Sequence, residues 1–289
     1  MYNVEKYIGA LLESLLTQTF QDFEVIVVDD CSTDNSCAVV ESYVTKFGGR
    51  LKLSRMEKNS GGPGAPSNKA VALSRGKYVY VMDDDDLLVN NALEILYNYA
   101  EKFNADVVQM DKVLEFVTNT EKPFPDMKEL LMSHRKSFHV DKPTIETDTL
   151  PERIIDFCKG KFTWQAWAAL VKRDLLMENN IIFPSLKSSA DIIWTIEIIL
   201  YAKIFLHIPD ICYIYRHRPN SITRSLQNLK DRIKFWMDIN FEGIKFLDGL
   251  LERQKFFQEN PQYKWILLNH FNSVHSNNIS RLITHLNTV

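Results

Sequence analysis

Residues 78–88 read YVYVMDDDDLL, an apolar run that passes directly into four consecutive carboxylates. The run before them is rich in aromatic and β-branched residues, which predicts a strand buried on both faces. Four adjacent negative charges repel one another, so Asp83–Asp86 costs stability unless a counter-ion or solvent compensates it. Because Mg2+ and Mn2+ take carboxylate oxygens, the run indicates either a metal site or a solvated turn.

A second acidic strand end lies earlier in the chain. Residues 23–28, FEVIVV, predict a strand, and Asp29 and Asp30 follow it directly. In open parallel sheets, ligands bind outside the carboxyl ends of the strands. We therefore expect the two acidic clusters to converge on one crevice.

The chain as far as residue 110 alternates between strand and helix patterns around a breaker-rich loop at 59–66. This alternation predicts an α/β fold with a mostly parallel sheet covered by helices. The predicted strands are 23–28, 51–53, 77–82 and 105–110, and the predicted helices are 4–16, 32–44, 67–75 and 92–97.

The alternation of strand and helix patterns is lost between residues 118 and 151, which suggests a domain boundary within this range. After Ser221 the chain is helical in character. Between these points the expected helices are 150–158, 167–179 and 191–202, and the expected strands are 204–208 and 212–215.

Composition excludes several classes of protein. With 289 residues, 45% of them hydrophobic, the chain can bury a large core, and a net charge of −3 gives no basic field to attract nucleic acid. The four cysteines lack the spacing of a zinc site or redox pair, so we expect reduced thiols and a cytoplasmic protein. We find no signal peptide and no segment suited to span a membrane.

Several further motifs accompany the acidic ones, and as an ordered set they resemble the GT-A glycosyltransferases of the large family 2 type. The likeness covers about residues 2–223. Its pieces are YNVEKYI at 2–8, SLLTQTF at 14–20, VVDDCSTD at 27–34, NSG at 59–61 with APSNKA at 65–70, DDDD at 83–86, and YIYR at 213–216 with SIT at 221–223.

The resemblance implies a GT-A fold, with a mostly parallel Rossmann-like sheet and a helical C-terminal tail. It further implies a nucleotide-sugar-binding half over 1–117, an acceptor-binding half over 118–223 and a helical extension over 224–289. The implied reaction is metal-dependent, inverting transfer of a hexose or N-acetylhexosamine from a UDP-sugar to a hydroxyl of a surface glycan or lipid-linked acceptor.

Site residues follow from the resemblance position by position. Asp83 and Asp85 would hold Mn2+ or Mg2+ on the diphosphate, where the metal neutralises charge on the leaving group. Asp86 is expected to cap the next turn, and Asp29 is equally compatible with a turn role and a functional one. The expected donor-binding residues are Tyr2, Asp30, Asn68, Asp83, Asp84, Arg216 and Ser221.

The acceptor side has fewer candidates. Asp191 matches the base that removes the acceptor proton, although it could instead cap the helix that follows. Trp164 and Trp167 could stack on an acceptor sugar, with core packing expected for at least one of them.

Three departures from the family pattern stand out. Ala190 replaces the usual Glu before the base, Ser67 replaces an Arg, and the apolar first strand of relatives is missing before Tyr2. We expect a start codon assigned too late, and a chain that folds poorly or is inactive as written.

Two other functions stay open at this point: a non-catalytic nucleotide-sugar-binding remnant, and a haloacid dehalogenase-like phosphatase that uses Asp83 and Asp85. Basic and aromatic residues after Ser221 leave peripheral association with the inner face of the membrane as an alternative to packing on the domain. The sugar, the acceptor, the linkage and the oligomeric state are not predicted.

Overall fold

The computed structural model describes residues 1–117, 131–134, 139–217 and 228–286. Its elements follow one another along the chain as α1 Ile8–Leu16, β1 Val25–Asp29, α2 Ser36–Tyr43, β2 Leu51–Arg55, α3 Gly64–Leu73, β3 Tyr78–Tyr80, β4 Leu87–Leu88, α4 Ala92–Phe103, β5 Val107–Val117, β6 Leu131–His134, β7 Thr144–Ile145, α5 Leu150–Cys158, β8 Ala169–Lys172, α6 Arg173–Glu178, α7 Ala190–Tyr201, β9 Phe205–His217, α8 Leu229–Glu252, α9 Lys255–Glu259 and α10 Pro261–Leu286.

The alternating pattern of the first 110 residues is confirmed in its main elements. One difference lies in α3, which begins at Gly64, so that the predicted loop is shorter and Pro66 lies inside the helix. A proline is tolerated there because the N–H groups of the first helical turn have no partner within the helix.

The described strands form two sheets. β1 and β2 pair in parallel as a separate two-stranded sheet. The larger sheet has the order β3-β8-β5-β9-β4, with β6 added to β5 and β7 added to β9. Both sheets are flanked by helices, which confirms the α/β class.

The larger sheet is mixed, however, and not mostly parallel as predicted. β5 and β9 are parallel, whereas β8 lies between β3 and β5 and is antiparallel to both. The sequence pattern hid this strand, because the predicted helix 167–179 contains β8 followed by the short helix α6. A four-residue apolar strand next to a helix has no periodicity of its own to reveal it.

The two strands predicted near residues 204–215 are a single strand, β9. Its pairing with β5 shifts by one residue between Ile208 and Ile211, where Met110 and Lys112 are the opposite partners. Pro209 lies in this bulge, and a proline has no N–H to donate to a ladder.

No strand precedes α1 among the described residues; instead, the backbone of Met1 lies along β1. The Met1 ammonium donates to the Val28 carbonyl at 2.6 Å, and the Asp30 N–H donates to the Met1 carbonyl at 2.9 Å. Among the described residues, Met1 therefore forms backbone hydrogen bonds with the edge of β1 that does not pair with β2.

The C-terminal region is helical, as expected, and α8 packs along α10. Asn240 donates to the Asn272 side chain at 2.7 Å, and Gly243 lies directly against the ring of Phe271. Among the described residues, no helix is both long and apolar enough to cross a membrane. Both expected domain boundaries, 117/118 and 223/224, touch residues outside the described ranges and stay predictions.

Candidate active site

The acidic run lies where β3 ends and β4 begins. Carboxylate oxygens of Asp83, Asp85 and Asp86 all lie within 4.8 Å of one another, with Asp83 exposed, Asp85 half-buried and Asp86 buried. Three hard oxygen donors at this spacing fit the ligand preference of Mg2+ or Mn2+. The chain can therefore offer a divalent cation a site open on one side.

Asp86 is not the turn cap that the sequence suggested. Its carboxylate is fully buried and accepts hydrogen bonds from the Tyr213 hydroxyl at 2.8 Å and the Arg216 N–H at 2.6 Å. Burial, together with the charges of Asp85 and Asp83, raises the pKa of Asp86 well above its ordinary value. Asp86 anchors the run to β9, a role that spacing within the run could not reveal.

Asp84 and Tyr2 are brought together at the edge of the acidic run. The Tyr2 N–H donates to the Asp84 carboxylate at 3.2 Å, and the Met1 ammonium lies 3.8 Å from the same carboxylate. The Tyr2 side chain is 48% exposed, so its ring is available to a ligand.

The Asp30 carboxylate, expected to accept a hydrogen bond from the base of the donor nucleotide, already has hydrogen-bond partners within the chain. It is buried, and it accepts from the Ser60 N–H and the Ser60 hydroxyl, each at 2.9 Å. Asn59 donates to the Asp30 carbonyl at 2.8 Å. Residues 59–60 therefore lie directly over the end of β1.

Asp29 has the turn role, one of the two roles expected for it. Its carboxylate accepts from the Ser32 N–H at 3.2 Å, while Cys31 between them has a left-handed φ of 62°. The chain turns there from β1 towards α2, and the aspartate stabilises that turn.

The side chain of Asn68, expected on the donor side, is instead bound to the backbone of Phe183. Its amide nitrogen donates to the Phe183 carbonyl and its oxygen accepts from the Phe183 N–H, both at 2.8 Å. One N–H of the Asn68 amide and the amide oxygen are therefore both engaged within the protein.

Asp191 lies in the first turn of α7. It is partly exposed, and its carboxylate accepts from the Ile192 N–H at 3.1 Å. Burial of the carboxyl group raises the pKa of Asp191 to about 6. A carboxylate with this pKa is ionised at neutral pH and basic enough to accept a proton.

Arg216 and Trp167 are buried in this structure. The Arg216 guanidinium lies over the rings of Tyr7 and Phe116, at 5.4 and 5.5 Å. Trp167 is 3% exposed and stacks on Tyr213 with ring centroids 4.3 Å apart. This burial argues against the acceptor contact expected for Trp167 and supports its core reading.

Trp164 is half-buried, and its carbonyl accepts from the Thr195 hydroxyl at 3.0 Å, so the acceptor contact expected for Trp164 stays a prediction. Ser221 lies outside the described residues.

Sequence reasoning missed Ser60 as the partner of Asp30 and Phe183 as the partner of Asn68, because both pairings depend on contacts distant in sequence.

Comparisons with known proteins identify the family of this fold and site. Residues 1–158 match the family described as Glycosyl transferase family 2. The chain belongs to this family of GT-A glycosyltransferases, which confirms the resemblance found in the motifs and sets aside the phosphatase alternative.

Two relatives act on ribitol-phosphate polymers by name. The chain is 34% identical over 217 residues to the poly(ribitol-phosphate) beta-N-acetylglucosaminyltransferase TarS of Staphylococcus aureus (strain MW2), covering 74% of this chain and 34% of the relative. It is 32% identical over 218 residues to the poly(ribitol-phosphate) beta-glucosyltransferase of Bacillus spizizenii, covering 74% and 31%. The chain thus spans about a third of the length of these relatives.

A solved structure supports the same placement. The crystal structure of S. aureus TarS 1-349 in complex with UDP-GlcNAc aligns with 31% identity and a TM-score of 0.61, covering 84% of this chain and 64% of that chain.

Proposed function

We propose that this chain is a metal-dependent, inverting glycosyltransferase that moves a hexose or N-acetylhexosamine from a UDP-sugar to a hydroxyl of a surface glycan. The observation that carries the proposal is the cluster of Asp83, Asp85 and Asp86 at the end of β3, within the region that matches the family. The named relatives favour UDP-GlcNAc or UDP-glucose as donor and a ribitol-phosphate polymer as acceptor.

In this mechanism the acidic run binds the donor. Asp83 and Asp85, with Asp86 behind them, would hold Mn2+ or Mg2+, which when bound stabilises the negative charge that develops on the leaving diphosphate. Asp86 fixes the run because Tyr213 and Arg216 bind its carboxylate. Tyr2, exposed beside Asp84, supplies an aromatic face for the nucleoside.

Asp191 would complete the reaction on the acceptor side. Its carboxylate accepts the proton of the acceptor hydroxyl. At the same time the hydroxyl oxygen of the acceptor attacks the anomeric carbon of the donor sugar, and the bond from that carbon to the diphosphate breaks. With a pKa of about 6, Asp191 is mostly ionised at neutral pH and so holds the form that this step needs.

The test measures UDP release from UDP-GlcNAc, and separately from UDP-glucose, with Mn2+ and poly(ribitol phosphate). We expect Asp85→Asn to lower kcat at least about a hundredfold and to weaken Mn2+ binding measured by calorimetry in the presence of UDP. Asp174→Asn changes an exposed aspartate on α6 in the same way and is the matched control. Turnover that withstands both EDTA and Asp85→Asn would contradict the metal role.

A second candidate is a chain that binds a nucleotide sugar without turning it over. It is favoured by Ala190, which stands where relatives have the Glu that precedes the base. UDP binding without UDP release or product in the same assay would select this candidate.

A further inference from the structure

Asn68 on α3 holds the backbone of a segment 115 residues further along the chain. Its carboxamide makes two hydrogen bonds to Phe183, one to the carbonyl and one from the N–H, both at 2.8 Å. A pair of bonds from one planar amide to one residue fixes the orientation of that residue as well as its position. α3 and the segment that contains Phe183 are therefore fastened at this point.

Two glycines beside Asn68 bring the same segments into backbone contact. A Cβ on Gly62 would lie 2.3 Å from the Leu186 carbonyl oxygen, and one on Gly64 would lie 2.4 Å from the Pro184 carbonyl oxygen. Only residues without a side chain fit here. Residues 62–68 and 183–187 thus form one packed unit, which we call the loop clamp.

The loop clamp leads directly into the helix that carries Asp191. Phe183 stacks on Trp194 of α7, with centroids 4.6 Å apart and planes 11° apart. Both rings are buried, and Trp194 lies one turn after Asp191. Ser189, which precedes the helix, has a left-handed φ of 62°, a conformation that surrounding contacts must maintain in a residue other than glycine.

The opposite end of the same loop reaches the donor half. Ser60 binds the Asp30 carboxylate and Asn59 binds the Asp30 carbonyl at the end of β1. A single run of ten residues, 59–68, therefore contacts both the end of β1 and the segment before α7. This run therefore connects the end of β1 to the segment that leads into Asp191.

We propose that Asn68 is a positioning residue, which holds the segment 183–189 and thereby sets the location of Asp191 relative to the donor half. This inference rests on the proposed function, because it assigns Asn68 to proton acceptance by Asp191. It differs from the donor contact that the sequence motif implied for Asn68.

The kinetic test uses Asn68→Leu, which removes both hydrogen bonds at similar side-chain volume. We expect kcat for UDP-GlcNAc to fall about tenfold to a hundredfold, while KM for the donor stays within about threefold, because the change misplaces Asp191 and leaves the acidic run intact. We also expect the acid limb of the kcat profile to move below pH 6, because a loosened segment exposes the Asp191 carboxyl group to water.

The matched control is Asn260→Leu, because Asn260 is also a half-buried asparagine whose amide donates to a backbone carbonyl, that of Phe256 at 3.0 Å. An equal loss of kcat in both variants would overturn the proposal and leave a general loss of stability as the cause. A raised KM with unchanged kcat would overturn it in favour of donor binding.

A second measurement needs no turnover and separates this inference from the proposed function. Hydrogen exchange of the free protein should show faster exchange at the amides of 183–192 in Asn68→Leu than in the wild type or Asn260→Leu. Unchanged exchange there would overturn the clamp. A wild-type chain without transferase activity would instead contradict the proposed function, while the exchange result would still decide whether Asn68 holds the segment.

Discussion

Asp191 combines partial exposure with a carboxyl group whose burial raises its pKa to about 6. The sign of this shift determines the expected pH dependence, because a base must be unprotonated to act. Below pH 6 the carboxyl group gains a proton and the reactive fraction falls; from about pH 7 upward, the reactive fraction is nearly complete.

We therefore expect kcat for UDP-GlcNAc to fall about tenfold between pH 7 and pH 5 and to be nearly constant from pH 7 to 8. Asp191→Asn should lose at least about a hundredfold in kcat and still bind UDP. The measurements are initial rates of UDP release between pH 5 and 8, and calorimetry with UDP. Retained turnover in Asp191→Asn would remove Asp191 as the base.

At the residue scale, the sequence predicted a location for the site more readily than a role for each side chain. The four aspartates were singled out by their position behind a predicted strand, and Asp191 by the family resemblance. The roles of Asp86 and Asn68 depend on Tyr213, Arg216 and Phe183, which lie more than 100 residues away. Local spacing does not specify contacts at such a distance.

At the scale of elements, α8 packs directly on α10 at Gly243. A Cβ at this position would lie 2.3 Å from Cζ and 2.5 Å from Cε1 of Phe271, whose side chain is fully buried. The ring cannot move aside without repacking the helices around it.

We expect Gly243→Ala to lower the free energy of unfolding by about 1 to 3 kcal/mol, although alanine is the better helix former. Gly249→Ala lies on the same helix with no atom within 4 Å of the added Cβ, and it should raise stability by up to about 1 kcal/mol. Urea denaturation of the two variants compares them directly. A stabilised Gly243→Ala variant would show that α8 and α10 are not packed this tightly.

Helices with clear amphipathic patterns were predictable as elements, and α5 was predicted with its observed bounds. β8 was not, because its four residues lie between the 3-10 helix Ala166–Ala168 and α6 and are too few to show a periodicity of their own. β8 lies antiparallel between β3 and β5 and so adds two of the antiparallel pairings that make the sheet mixed. The position of β3 relative to β5 in the sheet therefore depends on β8, a strand that the sequence pattern did not reveal.

For the whole molecule, buried carboxyl groups link stability to pH. Glu197 of α7 is 5% exposed, and burial raises its pKa to about 8, opposed by Arg253 and by the Ile182 N–H. The unfolded chain loses this proton near the ordinary value of 4.5. Between these two values the folded chain binds more protons, so its stability falls as the pH rises.

We expect the free energy of unfolding of the wild type to decrease from pH 5 to pH 8, with about 3 to 4 kcal/mol of the decrease due to Glu197. Glu197→Gln should flatten the curve by that amount, because an amide does not titrate. Exposed Glu178 provides the control Glu178→Gln, which should follow the wild type. Parallel curves for Glu197→Gln and wild type, measured by denaturation at each pH, would contradict this account.

The attachment of Asp86 to β9 also bears on how the protein is made. Tyr213 and Arg216 follow Asp86 by 127 and 130 residues. At about 5 to 20 residues per second, a ribosome needs roughly 6 to 26 seconds to produce them after Asp86. During that time the acidic run is a hydrated charge cluster with no strand to bury it, so a chain interrupted before residue 213 would carry the aspartates without a formed site.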